Sequence, residues 1–173
     1  IPRTQEKLPI LGFGCMRFVE KNGSIDEERS KALLRYAIDK GITHLDTACM
    51  YHHGQSESFL GRALADGYRE KVTISTKLPH WLVKSREDMD FFLNTQLNRL
   101  NTNYIDYYLI HSIGRESWDR MKACGVMEFL DTAKADGRIK HTGFSFHEDT
   151  KTFKEIVDAY PWNCCLIQYN IID

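Results

Sequence analysis

Five apolar, largely β-branched or aromatic runs in this 173-residue chain each stop on a polar side chain. Those stops are Asp46, Lys77, His111, Ser145 and Gln168, and they come 31, 34, 34 and 23 residues apart. A repeat of this length holds one strand, one helix and two turns, the unit of a parallel sheet with right-handed helical crossovers. Strands that all run the same way bring their polar stops to one face, the carboxyl ends, where α/β proteins collect their chemistry. One polar stop is an ordinary rim residue in water. Five in register describe a site.

Residues 3–7 are polar and turn-like, and residues 8–14 read as a first short strand. Ser24-Ile25-Asp26-Glu27 matches a capping box before a helix that turns Leu33, Leu34, Ala37 and Ile38 inward and stops at Gly41. A strand over 43–47 is followed by a helix capped by Ser56, with Phe59, Leu60, Ala63 and Leu64 on its apolar face and Gly67 behind it. Residues 72–77 alternate as a strand does, and a third helix starts at Ser85 and buries Met89, Phe92, Leu93, Leu97 and Leu100. Residues 104–111 are apolar almost throughout, as a parallel strand buried on both faces requires. The connection over 112–125 is long, which marks functional loops, and carries Trp118 and Met121. A helix over 127–136, a strand over 141–145, a helix with Phe153, Ile156, Val157 and Tyr160, and a strand over 164–170 complete the chain.

Two architectures use this alternation. A doubly wound nucleotide fold requires a G-x-G-x-x-G turn, and Gly12-Phe13-Gly14-Cys15-Met16-Arg17 lacks the third glycine and is cut off from its helix by a polar loop. A (β/α)8 TIM barrel of which residues 1–173 cover the first six strands, as one incomplete domain without strands seven and eight, fits better. The start at Ile1 and the stop at Asp173 inside a strand-like run agree with a longer parent protein. With 23 Lys and Arg against 24 Asp and Glu there is no basic surface run for nucleic acid or an anionic membrane. Five cysteines without a C-x-x-C spacing suit a reducing cytoplasm, and no apolar run reaches the roughly 20 residues of a membrane span.

Among the rim residues, Asp46, Tyr51, Lys77 and His111 form a coherent chemical set. A phenol is a weak acid, and a lysine ammonium beside it stabilises the phenolate left behind when its proton departs. Asp46 is placed to orient Lys77, and His111 to hydrogen-bond a carbonyl oxygen or pass on a proton. None of the four is a strong covalent nucleophile. The natural reading is a general acid serving a substrate that takes an electron pair from elsewhere.

Asp46-Thr47-Ala48-x-x-Tyr51, Thr76-Lys77, Leu109-Ile110-His111, Gly143-Phe144-Ser145 and Gln168-Tyr169-Asn170 follow in order and spacing the motifs of the aldo-keto reductase superfamily, which the chain resembles over essentially its whole length. The resemblance implies a barrel that binds NADP(H) at its carboxyl rim and reduces a small-molecule carbonyl substrate. It makes Tyr51 the acid, tuned by Lys77 and Asp46, with His111 orienting the carbonyl. It also implies cofactor contacts from Gly14, Cys15, Met16, Arg17, Asp46, Ser145 and Gln168, a substrate wall of Trp81 and Trp118 beside Tyr51 and His111, no metal, and a structural role for Gly54, Ser56, Glu57 and Gly61. Lys77-Leu78-Pro79-x-Trp81 and Gly143-Phe144-Ser145-Phe146-His147 are similar to a bacterial branch whose members often carry a C-terminal iron-sulfur ferredoxin-like extension, and so a redox partner; its cysteine motif is absent here. The sequence departs from the family at Phe146, where an Asn normally contacts the carboxamide. The aromatic that stacks on the nicotinamide and the basic loop that grips the phosphates belong to strands seven and eight, beyond Asp173.

Three other readings use the same barrel. A metal-dependent hydrolase is suggested by seven His, including His52-His53, but only Asp46 and His111 stand at strand ends and a Lys stands between them. A cofactor-binding regulatory subunit with little turnover keeps the pocket without the rate, and an inactive barrel fragment keeps neither.

Overall fold

The computed structural model describes residues 7–170, so residues 3–6 of the polar tract predicted over 3–7 lie outside the described residues. Six strands, β1 (Phe13–Gly14), β2 (His44–Asp46), β3 (Thr73–Leu78), β4 (Ile105–Ile110), β5 (Ile139–Phe146) and β6 (Cys164–Ile167), form one parallel sheet. Each is bonded to its neighbour in chain order. A doubly wound sheet reverses its strand order at a switch point. This one never does, and it curls into the wall of a partial (β/α)8 barrel.

Helices α1 (Glu27–Asp39), α2 (Ser56–Ala63), α3 (Arg86–Leu100), α4 (Arg115–Ala123), α5 (Val126–Ala135) and α6 (Thr150–Ala159) fill the crossovers. Leu34 and Ile38, Phe59 and Leu60, Met89 and Leu93, Phe129 and Leu130, and Ile156 are buried in one apolar layer with the strands. β4 is buried at every position, as its unbroken apolar run predicts. α3 starts with Ser85 and Asp88 in a reciprocal capping box and ends on Asn101 in the left-handed region. α2 and α3 touch at Gly61, where a Cβ would stand 2.4 Å from the Arg99 carbonyl oxygen, so only glycine fits. At the amino end of the strands, the Asp106 carboxylate accepts from Arg69, Lys140 and the Ile74 amide and bolts β3, β4 and β5 together.

Several local expectations are corrected. Only Phe13–Gly14 of the predicted first strand pairs, and Ile10 and Leu11 are exposed. Ser24 belongs to a hairpin of Glu20–Lys21 with Ser24–Ile25, and α1 is capped by Asp26, whose carboxylate accepts from the Arg29 amide. Leu33 and Val157 face solvent, because Leu34 and Ile156 beside them take the inward positions. Ser56 is the first residue of α2, and its hydroxyl turns inward to the Cys15 carbonyl and the Thr47 hydroxyl. The long connection over 112–125 folds as α4, which tucks Trp118 and Met121 into the core. β6 stops at Ile167. Among the described residues, no helix is long and apolar enough to cross a membrane.

Candidate active site

Strand register builds the site. β2 pairs with β3 so that Asp46 lies opposite Ser75, and β3 pairs with β4 so that Lys77 lies opposite Leu109. The His111 amide extends this last ladder by bonding the Leu78 carbonyl at 3.1 Å.

Lys77 is 1% exposed, a costly place for an ammonium unless each proton finds an acceptor. Here each does: Nζ donates to Asp46 Oδ2 at 2.7 Å, to the Thr47 carbonyl at 2.7 Å and to Tyr51 Oη at 3.2 Å. Asp46 is fixed from its other side, where Ser75 Oγ donates to Oδ1 at 2.7 Å. Because Lys77 donates to the phenol oxygen, the phenol keeps its own hydrogen for another acceptor. The Tyr51 ring stands edge-on to His111 with centroids 6.1 Å apart, and the half-exposed Trp81 lies 5.3 Å from His111.

Burial, followed by the Lys77 charge, lowers the pKa of His111 to about 4. The imidazole is therefore neutral near pH 7, with one N–H to donate. Its Nδ1 is buried without a hydrogen-bond partner, a polar atom that the protein's own bonding leaves unused.

Behind the sheet, the fully buried Glu57 carboxylate accepts from Thr76 Oγ1 and Gln96 Nε2, each at 2.7 Å, and pairs with Arg99 at 3.3 Å. Gln96 also donates to the Lys77 carbonyl at 3.0 Å and accepts from the Tyr108 hydroxyl at 2.8 Å. The backbone that carries Lys77 is thus held from the outside by Gln96, which Glu57 in turn fixes.

The other predicted residues differ in where they stand. Ser145 is buried at the end of β5, and its Oγ accepts from the Ser112 amide at 2.7 Å, which leaves its hydroxyl hydrogen available. Gln168 stands exposed just past β6. Gly14, the last residue of β1, and Met16 and Arg17 beyond it are exposed, whereas the Cys15 amide is bonded to the Asp46 carbonyl and its own carbonyl accepts from Ser56. Trp118 is not brought to the site: it is 4% exposed and packs against Trp162, because α4 turns it inward. Phe146 is buried against Phe144 and Phe153 and can present no polar group, while His147 is exposed. Among the described residues, no three His, Cys, Asp or Glu side chains converge as metal ligands.

Sequence reasoning missed Ser75 and the Thr47 carbonyl. Ser75 was within reach, since in a strand it shares a face with Lys77 two residues on. A main-chain acceptor leaves no trace in the sequence.

A family model described as "Aldo/keto reductase family" matches residues 10–173. Aldo-keto reductase yakc [NADP(+)] of Schizosaccharomyces pombe is 27% identical over 95% of this chain and 50% of its own length. Methylglyoxal reductase YeaE of Escherichia coli is 33% identical over 80% of this chain and 45% of its own. The chain thus spans about half the length of the curated relatives it matches. Among solved structures, the holo form of aldo-keto reductase AKR11C1 from Bacillus halodurans superposes with a TM-score of 0.79 at 28% identity, covering 94% of this chain and 54% of that one. An aldo-keto reductase from Klebsiella pneumoniae in complex with NADPH gives 0.77 at 27%, covering 94% and 55%.

Proposed function

The chain belongs to the aldo/keto reductase family, and from that premise we propose that it acts as an NADPH-dependent oxidoreductase that reduces aldehyde and ketone carbonyls to alcohols with Tyr51 as proton donor. The observation that carries this reading is the Lys77 ammonium, buried and bonded at once to Asp46, Thr47 and the phenol oxygen of Tyr51. As Tyr51 gives up its proton, negative charge grows on an oxygen that already has a fixed cationic donor 3.2 Å away. Asp46 keeps that donor aimed, and Ser75 keeps Asp46 aimed. His111, neutral near pH 7, can donate to the carbonyl oxygen without competing to be the acid. Its edge and the Trp81 ring would hold the substrate beside Tyr51.

The donor set suits a nicotinamide cofactor. Ser145 keeps a hydroxyl hydrogen for a carboxamide, Gln168 stands at the same rim, and Gly14, Met16 and Arg17 border it from β1. Asp46 adds an acceptor that is a quarter exposed. When bound, NADPH supplies the hydride that the carbonyl carbon receives. The NADPH complex of the Klebsiella relative and the NADP(+) in the name of the yeast relative support this choice. Five free cysteines support a reducing, cytoplasmic setting.

The test is Tyr51→Phe, assayed by carbonyl-dependent NADPH oxidation on a panel of aldehydes and quinones. Loss of a general acid should lower kcat by about 10²–10⁴-fold, with NADPH binding, followed by fluorescence, unchanged. A wild type that binds NADPH and turns over no carbonyl on the panel would overturn the reading in favour of a regulatory subunit.

A further inference from the structure

His52-His53 takes no part in the acid assembly, yet it adjoins Tyr51. His52, His53 and Gly54 adopt three successive left-handed conformations, with φ of 51°, 53° and 86°. Two of these residues carry a Cβ that opposes this region, so the turn persists only where its surroundings impose it. The turn also closes on Tyr51 itself, whose carbonyl accepts the amides of Gly54 at 3.1 Å and Ser56 at 3.2 Å.

What holds the turn is the His52 ring. Its side chain is 5% exposed, Nε2 accepts the Phe18 amide at 2.7 Å, and Nδ1 bonds Glu20 Oε1 at 2.9 Å. A nitrogen that accepts a backbone N–H carries no proton, so the ring's hydrogen sits on Nδ1 and points at the carboxylate. Both ring nitrogens are thereby committed to one segment, the stretch after β1. The ring also packs on Phe18, which stands edge-on to Phe59 of α2 at 4.7 Å. Residues 14–17, immediately before Phe18, border the rim where the cofactor is placed above.

We infer that His52 is a positioning residue for Tyr51: its imidazole clamps the left-handed turn after the acid to Phe18 and Glu20, and so fixes the phenol and the 14–18 segment relative to one another. The part assigned to Tyr51 rests on the reductase reading; the clamp does not.

The experiment compares wild type, His52→Ala and His52→Gln by three readouts. These are steady-state NADPH oxidation with carbonyls, hydrogen exchange of the Phe18 amide, and the Tyr51 signal in protein labelled with 13Cζ-tyrosine, assigned by Tyr51→Phe. His52→Ala should lower kcat by about tenfold or more, because small misplacements of reacting groups cost up to about 10²-fold, with the carbonyl KM within about twofold of wild type. The Phe18 amide should exchange faster and the Tyr51 signal should move. The glutamine side-chain oxygen reaches the ε position that accepts the Phe18 amide, so His52→Gln should recover most of kcat and of the Phe18 protection. Wild-type kcat with an unmoved Tyr51 signal in His52→Ala would overturn the inference, as would a loss confined to KM. A wild type without turnover whose Phe18 exchange and Tyr51 signal both change in His52→Ala would remove the reductase reading and support the clamp.

Discussion

Asp46→Asn tests whether the Lys77 ammonium depends on its carboxylate. Asn fits the space of Asp, and its amide can turn its oxygen to Lys77 and its NH2 to Ser75, whose hydroxyl then accepts instead of donating. The hydrogen-bond count survives and only the charge is lost. Removing one member of a buried ion pair costs about 3–5 kcal/mol. Because the Asp46 side chain is 25% exposed and an acceptor remains, we expect about 2–3 kcal/mol here, a fall in Tm of about 5–10 °C for a chain of this size. Lys77 is 1% exposed and cannot reach water in compensation. The decisive variant is Asp46→Asn with Lys77→Met. Taking away the stranded ammonium should restore part of the lost stability, since apolar replacement of a buried pair is often neutral, whereas two independent losses would add. Urea unfolding of wild type, both singles and the double gives the cycle. An Asp46→Asn midpoint equal to wild type, or a double variant that loses the sum of the singles, would refute the reasoning.

Two further outcomes follow from the same geometry. With its folded pKa lowered from the ordinary 6.5 to about 4, His111 resists a proton that the unfolded chain accepts, so its contribution to stability is complete above pH 6.5 and lost as pH falls towards 4. Discounted for its partial exposure, this is about 1–2 kcal/mol, read as a slope in urea midpoints over that window that His111→Gln removes; an unchanged slope would dismiss the effect. Trp118→Ala should cost about 3–5 kcal/mol as a core truncation and leave the carbonyl KM unaltered, and a KM change of more than about threefold, equivalent to roughly 0.7 kcal/mol of binding, would return Trp118 to the substrate wall.

The fold was legible where burial writes a long signal. β4 is an uninterrupted apolar run and α3 repeats its apolar positions over fifteen residues, so both could be read directly. α4 could not: in nine residues it buries only Trp118 and Met121, too short a stripe to show a helical period, and an aromatic in a long connection then passes for part of a lid. Ser24 and Ser56 misled for a shared reason. Each is a good capping residue by type, but one is paired in a hairpin and the other spends its hydroxyl on Cys15 and Thr47, contacts 41 and 9 residues away. At the site, Asp46, Lys77 and His111 were readable as polar stops on apolar strands. The left-handed turn after Tyr51 was not, because two histidines there carry no glycine signal for positive φ.

The cluster of Asp46, Lys77 and His111 is local to three adjacent strands, and two buried polar networks guard its register. On β3, Thr76 faces outward to Glu57 and Gln96, while Ser75 and Lys77 face Asp46. A slip of one residue would exchange these faces, as it does for any strand. It would put a threonine where the ammonium meets Asp46 and Tyr51, and drive the ammonium towards α2 and α3. The Glu57 carboxylate would lose its short Thr76 bond, and Asp46 would lose both its donors. Asp106 opposes the same slip from the amino end, where its one carboxylate ties Ile74 of β3 to Lys140 of β5. Buried charges without partners cost several kcal/mol each, more than the apolar packing of β3 could regain in the shifted register. The position of Lys77 under Tyr51 is therefore set by Glu57, Gln96 and Asp106 as well as by its own bonds, and none of these three is placed to touch a substrate.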